Sequence, residues 1–303
     1  MIVPLSLLDT QWPGNLIDLL PAVEEMGYAR YWATEHYSPG QSASPTLVTA
    51  LAAGLTSRMR VGTAGVLLRL TSAMRVAQDF AALQLYFPGR IDLGVAGAPA
   101  GQPHDGAFAP DVVVPDASAQ ADRVRRLVGL VRRGIETDAG PVPIGPISDG
   151  DGGGDGGDPA SRPQLWMCGT GASSAALAGA LGMRFAFHHY LATQRGASLP
   201  VEIVAAYRAA FVPHGEGDAP HVAVAAYGSC APTLAEAEAE WRGYLPWVVD
   251  DSRPTFLGTP DACADALSEL ARQYGADELV VDCFAASFSA RLSGLGLLAG
   301  AFR

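Results

Sequence analysis

The chain contains no lysine: the 20 Lys-plus-Arg positions are all arginine, set against 31 acidic residues and six histidines. Without lysine there is no Schiff-base nucleophile, so lysine-dependent aldolase and pyridoxal-phosphate chemistries are excluded. A Walker-type phosphate loop is excluded as well, because that loop needs its lysine. Cysteine is also scarce. The four residues, Cys168, Cys230, Cys263 and Cys283, are widely spaced and form no C-x-x-C pair. Zinc and thioredoxin-type sites are therefore not indicated, and free thiols suit a reducing cytoplasm. Charged residues make up only 17% of the chain and the net charge is −11, with the arginines scattered, which argues against a nucleic-acid partner. No apolar run reaches the roughly 18 residues of a membrane span. The start, Met1 to Ser6, has neither a basic leader nor a small-residue cleavage site and reads as a first strand. A cytoplasmic protein is expected.

What is abundant is apolar sequence, 49% of 303 residues, in alternating strand and helix patterns. Strand patterns fall at 2–8, 28–34, 60–68, 90–96, 164–167, 184–188, 221–227 and 278–282. Helix patterns fall at 16–26, 45–55, 72–86, 119–133, 173–181, 199–211, 234–244 and 260–274, with a last helix after Cys283. The strands are nearly continuous in apolar residues, as a parallel sheet buried on both faces requires. Eight strand–helix units in about the length of one barrel favour a closed (β/α)8 TIM-type barrel over an open doubly wound sheet. A single domain spanning residues 1–303 is expected, with one long loop insertion. Within that insertion, residues 149–158 form an acidic glycine run. Asp149 and Asp151 begin like a calcium loop, but the further acidic ligand and closing Glu are missing, so the run reads as a flexible solvated loop.

In a barrel of this kind the strand-to-helix loops build the site. Small residues from Gly169 through Thr170, Gly171, Ser173 and Ser174 would let backbone approach a phosphate, and the following helix would aim free N–H groups at it. The alternative is an ordinary helix start capped by Ser173. Glu35-His36 closes the second strand, where a histidine suits proton transfer. Of His188 and His189, neighbours on a strand, one would face the site and the other would pack outward. Asp9, Tyr37, His188, Tyr190, Tyr227 and Phe284 are the substrate-pocket candidates. They mix aromatic and polar groups, which suits a medium-sized organic molecule.

Several segments in order resemble one family. Residues 27–37 (GYARYWATEHY), 57–66 (SRMRVGTAGV) and 87–94 (FPGRIDLG) are similar to the second, third and fourth strands of the bacterial luciferase-like flavin-dependent monooxygenases, and 163–187 and 256–291 to later parts. The resemblance implies a homodimeric barrel that takes reduced FMN from a separate flavin reductase and uses O2 to oxygenate a small organic substrate. Carried over by position, His36 is the catalytic histidine beside the flavin. Ala64-Gly65 lies where the family often has a non-proline cis peptide under the flavin ring. Thr170, Gly171 and Ser173 fall at the phosphate, next to Gly169 of the anion-site reading. The chain departs from the pattern at Gly97, where an arginine commonly binds phosphate, and at Tyr37, where a second histidine is usual. Arg69, Thr71 and Ala73 stand for Pro, His and Pro. Losing one charged phosphate contact would cost roughly 1.5–3 kcal/mol. Two other readings stand beside the monooxygenase: a deazaflavin-dependent oxidoreductase, separated by oxygen dependence, and a non-catalytic flavin- or partner-binding member, favoured by Gly97 and Tyr37.

Overall fold

The computed structural model describes residues 3–10, 15–36, 44–96, 117–144, 162–194, 200–215, 218–244 and 253–303. Eight parallel strands close a barrel: β1 (Leu5–Asp9), β2 (Arg30–Ala33), β3 (Arg60–Thr63), β4 (Ile91–Ala96), β7 (Gln164–Gly169), β8 (Arg184–His188), β9 (Val222–Cys230) and β11 (Glu278–Cys283). Each pairs with the next in that order, and β11 pairs back onto β1. Outside them lie α1 (Leu16–Glu25), α2 (Pro45–Leu55), α3 (Ala73–Tyr86), α4 (Ala117–Arg133) and α5 (Ala172–Ala180). These are followed by α6 (His189–Gln194), α7 (Pro200–Ala209), α8 (Leu234–Tyr244), α9 (Pro260–Tyr274) and α10 (Phe288–Ala301). The run at 149–158 lies outside the described residues.

The expected barrel is present, with four differences in its elements, one of them the short α6, which follows β8 directly. The third strand stops at Thr63 rather than Leu68, because residues 67–71 fold into a turn whose Leu70 N–H donates to Leu67 C=O. A small antiparallel hairpin, β5 (Ile135–Thr137) with β6 (Gly140–Val142), follows α4. A short β10 (Phe256–Gly258) pairs with the end of β9. Sequence legibility was best where caps are strong. Thr259 caps α9 by accepting from Ala262 N–H, Pro260 opens it, and Gly275 closes it in a left-handed conformation, φ +56°.

Two layers of side chains fix which strand faces look inward. Leu5, Leu7, Tyr31, Val281 and Cys283 belong to the large core between strands and helices. Leu8, Trp32, Trp166, Ala186, Ala225 and Val280 fill the barrel itself. Below them, at the N-terminal end, Arg30 donates to Asp92 at 2.7 Å and to Glu278 at 2.8 Å, and Arg60 reaches Asp92 at 2.7 Å. Trp32 Nε1 also donates to Asp92, and Ser6 to Glu278. Burial opposes the charge on both carboxylates, but these partners outweigh it and hold both below the usual range. This polar plug closes the barrel floor, so a ligand enters from the other end.

Candidate active site

The C-terminal strand ends bring together most of the residues that the sequence singles out. His36 follows β2 as a half-buried side chain, and the buried carboxylate of its neighbour Glu35 accepts from Leu67 N–H at 2.8 Å. That bond ties the end of β2 to the loop after β3. The same loop begins with Ala64-Gly65, joined by a cis peptide bond. It lies directly on β4: Val66 N–H donates to Gly94 C=O at 2.8 Å, and Ala96 N–H to Val66 C=O at 3.0 Å. Thr63 Oγ1 donates to Gly94 C=O at 2.8 Å. A Cβ on Gly65 would stand 2.7 to 2.9 Å from backbone atoms of Gly94, Val95 and Ala96, which is why only glycine fits this approach. Arg69 is buried in the following turn, whose Leu68 and Arg69 carbonyls accept from the Arg123 guanidinium of α4.

Two places on from β3 in the ring of eight strands, β7 runs through buried Cys168 and Gly169 into α5. Burial pushes the Cys168 thiol up to about 12, so it is no nucleophile at neutral pH. Of the two readings of this turn, capping by Ser173 is not what the structure shows. The N-cap is Gly171, without a side-chain cap, while Ser173 is exposed and Ser174 Oγ donates back to Gly171 C=O at 2.8 Å. A Cβ on Gly171 would meet nothing within 4 Å. Half-exposed Thr170 precedes it.

The remaining wall is aromatic. Tyr190, opening α6, lies 4.4 Å from Tyr227 of β9 between ring centroids. Tyr227 stacks on Trp241 at 5.5 Å, and Phe284 stacks on Tyr244 at 4.3 Å. His188 sits beside Tyr190 at 5.9 Å, whereas His189 turns outward to Tyr274, 2.9 Å from its hydroxyl. The two histidines divide as expected, though not by strand alternation: β8 ends at His188, and His189 is the first residue of α6. Asp9 is placed elsewhere than the pocket wall. It shares the outward register of Leu5 and Leu7, and its carboxylate takes the Tyr31 hydroxyl at 2.9 Å and Arg291 at 3.1 Å, beneath α10. The acid on the mouth side is Asp282 of the neighbouring β11, whose carboxylate takes the Thr10 hydroxyl at 2.6 Å. The sequence places Asp282 at a strand end without a role of its own, and gives Trp241 and Tyr244 no place in the site. The available signals were an acid ending the apolar run Leu279-Val280-Val281, and two aromatics three apart on one helix face. Gly97 and Tyr37 lie outside the described residues.

A closed barrel with a histidine, a loop pressed against its neighbouring strand and a helix start at the C-terminal strand ends is a (β/α)8 protein with a candidate site at that end. Residues 6–256 match the family described as "Luciferase-like monooxygenase", and the chain belongs to that family. It is 27% identical over 319 aligned residues to the uncharacterized protein YwcH of Bacillus subtilis, covering 94% of this chain and 92% of the relative. The apo crystal structure of MsnO8 superposes with a TM-score of 0.82 at 27% identity, covering 99% and 98% of the two chains. The oxygenating constituent of 3,6-diketocamphane monooxygenase from Pseudomonas putida, solved with FMN, gives a TM-score of 0.68 at 18% identity over 99% and 97%. Among the described residues, no helix is long and apolar enough to cross a membrane, and no group of three His, Cys, Asp or Glu is placed to hold a metal ion.

Proposed function

We propose that the protein is a flavin-dependent monooxygenase that takes reduced FMN from a separate reductase and uses O2 to oxygenate a small organic substrate. The observation that carries this reading is the start of α5 at Gly171, where a Cβ would meet nothing within 4 Å, at the same C-terminal end of the strands as His36. The residues fit a phosphate-bearing flavin. The N–H groups and positive end of α5 favour a phosphate, with Gly169, Thr170, Gly171 and Ser173 around it. The Ala64-Gly65 loop, held against β4, offers a flat backbone seat for the ring. When bound, the reduced flavin supplies the two electrons that activate O2. His36 holds or moves a proton beside the reacting oxygen, and Glu35 keeps the seat and the histidine strand in register. Tyr190, Tyr227, Phe284 and His188 exclude water and orient the substrate.

A homodimer accompanies this reading. The 11-residue α2 carries no charged residue, and its outer face exposes Leu47 (66%) and Leu51 (58%), one turn apart. A solvent-facing helix surface is normally polar, so this face suits a second copy of the chain. The test of function is His36→Ala. The variant should fold and bind flavin as the wild type does while losing about 10²-fold or more of flavin-supported oxygen uptake with substrate. Full activity in that variant removes His36 from the mechanism.

A further inference from the structure

The polar plug at the barrel floor carries more positive than negative charge. Three guanidiniums, Arg30, Arg60 and Arg184, share it with two carboxylates, Asp92 and Glu278. Both carboxylates are engaged by groups other than Arg184. Asp92 Oδ2 accepts from Arg30 Nη1 and from Trp32 Nε1, and its Oδ1 accepts from Arg60 Nε at 2.8 Å. Glu278 takes Arg30 Nε at 2.8 Å on each oxygen and the Ser6 hydroxyl on one of them.

Arg184, the first residue of β8, is the cation left over. It is paired in register with Trp166 of β7, and Phe185 N–H donates to His221 C=O, which sets His221 beside it at the start of β9. Its Cζ lies 5.5 Å from the centre of the Trp166 indole, where Arg30 Cζ stands at 5.0 Å and the His221 ring at 5.4 Å. Among the described residues the Arg184 guanidinium donates to no acceptor. In the same cluster Trp166 Nε1 is buried without a hydrogen bond, and so is His221 Nε2, which stands 3.5 Å from Glu278 Oε2. Donors thus outnumber acceptors, and an arginine cannot shed its proton to relieve the imbalance. Burial first, and then the Arg30 charge, hold the Arg184 pKa below the ordinary guanidinium value, as befits a cation short of counter-charge. The cluster meets solvent on the outer side of the plug. Arg184 is half-buried there, and the Arg60 and His221 side chains are 20% and 26% exposed.

We propose that the outer face of this plug binds a small oxyanion, of which inorganic phosphate is the simplest, on Arg184 beside His221. The site lies at the opposite end of the barrel from the candidate active site and does not depend on the flavin reading. An oxyanion supplies the acceptor oxygens that Arg184 lacks. One negative charge also brings three guanidiniums and two carboxylates to neutrality, which a cluster this poorly hydrated favours. The planar guanidinium presents paired N–H groups that match two oxygens of such an ion, and its stacking against Trp166 holds that fork in place. Because the bound ion bridges the starts of neighbouring strands, it stabilises the folded barrel in proportion to its occupancy.

The experiment titrates the flavin-free protein with inorganic phosphate by calorimetry, at a constant ionic strength of about 0.1 M. Phosphate is also proposed at the start of α5, so the working background is Gly171→Asp, which sets a carboxylate there in open space. In that background one saturable phosphate site should remain, and Tm should rise with phosphate along the same curve. Adding Arg184→Met should weaken the site about tenfold or more, and Arg184→Lys, which keeps the charge but not the paired N–H fork, should fall between. Arg184→Met in the otherwise native chain should lose one phosphate site in the same way, which keeps the test independent of the Gly171 change. No saturable binding in Gly171→Asp, wild-type affinity in Arg184→Met, or an equal response to chloride overturns the floor site. A native chain that binds one phosphate, lost with Arg184→Met and kept with Gly171→Asp, supports the floor site and counts against phosphate at α5.

Discussion

Gly65→Ala tests whether the loop after β3 is a built part of the site. The new Cβ would lie 2.7 Å from Val95 C, 2.8 Å from Ala96 N and 2.9 Å from Gly94 C, all backbone atoms that no rotamer change can move. Relief requires the loop to lift off β4 by about half an ångström or more. The loop is held at that distance by the Val66–Gly94 and Val66–Ala96 hydrogen bonds, at 2.8 and 3.0 Å. Straining or losing both costs about 0.5–1.5 kcal/mol each. Overpacking adds about 1–3 kcal/mol. The sum, about 2–6 kcal/mol, corresponds to a fall in Tm of roughly 5–20 °C at roughly 2–4 °C per kcal/mol. Thermal unfolding followed by circular dichroism measures it, and flavin affinity should drop in the same variant because the seat moves. Gly54→Ala is the control. Gly54 lies within α2 with nothing within 4 Å of its would-be Cβ, so this change should stabilise by about 0.5–1 kcal/mol. A Gly65→Ala protein melting within about 2 °C of wild type would refute the close-approach account.

Other outcomes follow from the same contacts. Arg30→Met should destabilise by about 3–5 kcal/mol in urea unfolding, because buried Asp92 and Glu278 lose their shared cation while the mouth stays intact. Glu24 is a pH probe. Burial works against its charge, but the N–H groups of Met59, Arg58 and Ser57 outweigh it and bring its pKa down to about 2. A lowered folded-state pKa means stability that is present above the unfolded value of 4.5 and lost as pH falls toward about 2. Glu24→Gln should therefore cost about 1–3 kcal/mol at neutral pH in urea midpoints, and the gap to wild type should close at about pH 2. Leu51→Glu should halve the mass seen by light scattering while leaving the far-ultraviolet spectrum unchanged, and a wild-type mass would remove the α2 face from the dimer.

The barrel was legible because each of its strands is a short, nearly unbroken apolar run set between helices with clear ends, such as Pro45–Leu55, Leu234–Tyr244 and Pro260–Tyr274. The same continuity hid the inward face. In Leu5-Ser6-Leu7-Leu8-Asp9 every residue is buried, so no polar alternation tells which positions look into the barrel. That is why Asp9 reads as a pocket residue from sequence, whereas the fold turns it toward Arg291 and leaves the mouth to Asp282. β10 escaped notice because three residues carry no period, and their strand geometry exists only once Gly228–Cys230 lies beside them. The helix start after β7, proposed above to hold a phosphate, is legible in the sequence through its small residues, but the identity of its cap is not. Gly171 rather than Ser173 takes that place, a backbone choice that side-chain propensity does not reveal.

The central claim is a flavin held between Gly171 and Ala64-Gly65 for reaction with oxygen at His36. The most direct measurement is an anaerobic titration of the purified protein with reduced FMN, followed by a pulse of O2 and substrate. The account predicts saturable binding of reduced FMN, rapid oxygen-dependent reoxidation and incorporation of one oxygen atom from O2 into the substrate. Gly171→Asp should weaken binding tenfold or more by setting a negative charge at the phosphate. Binding of neither reduced nor oxidised FMN would contradict it, as would turnover that runs with a deazaflavin and consumes no oxygen.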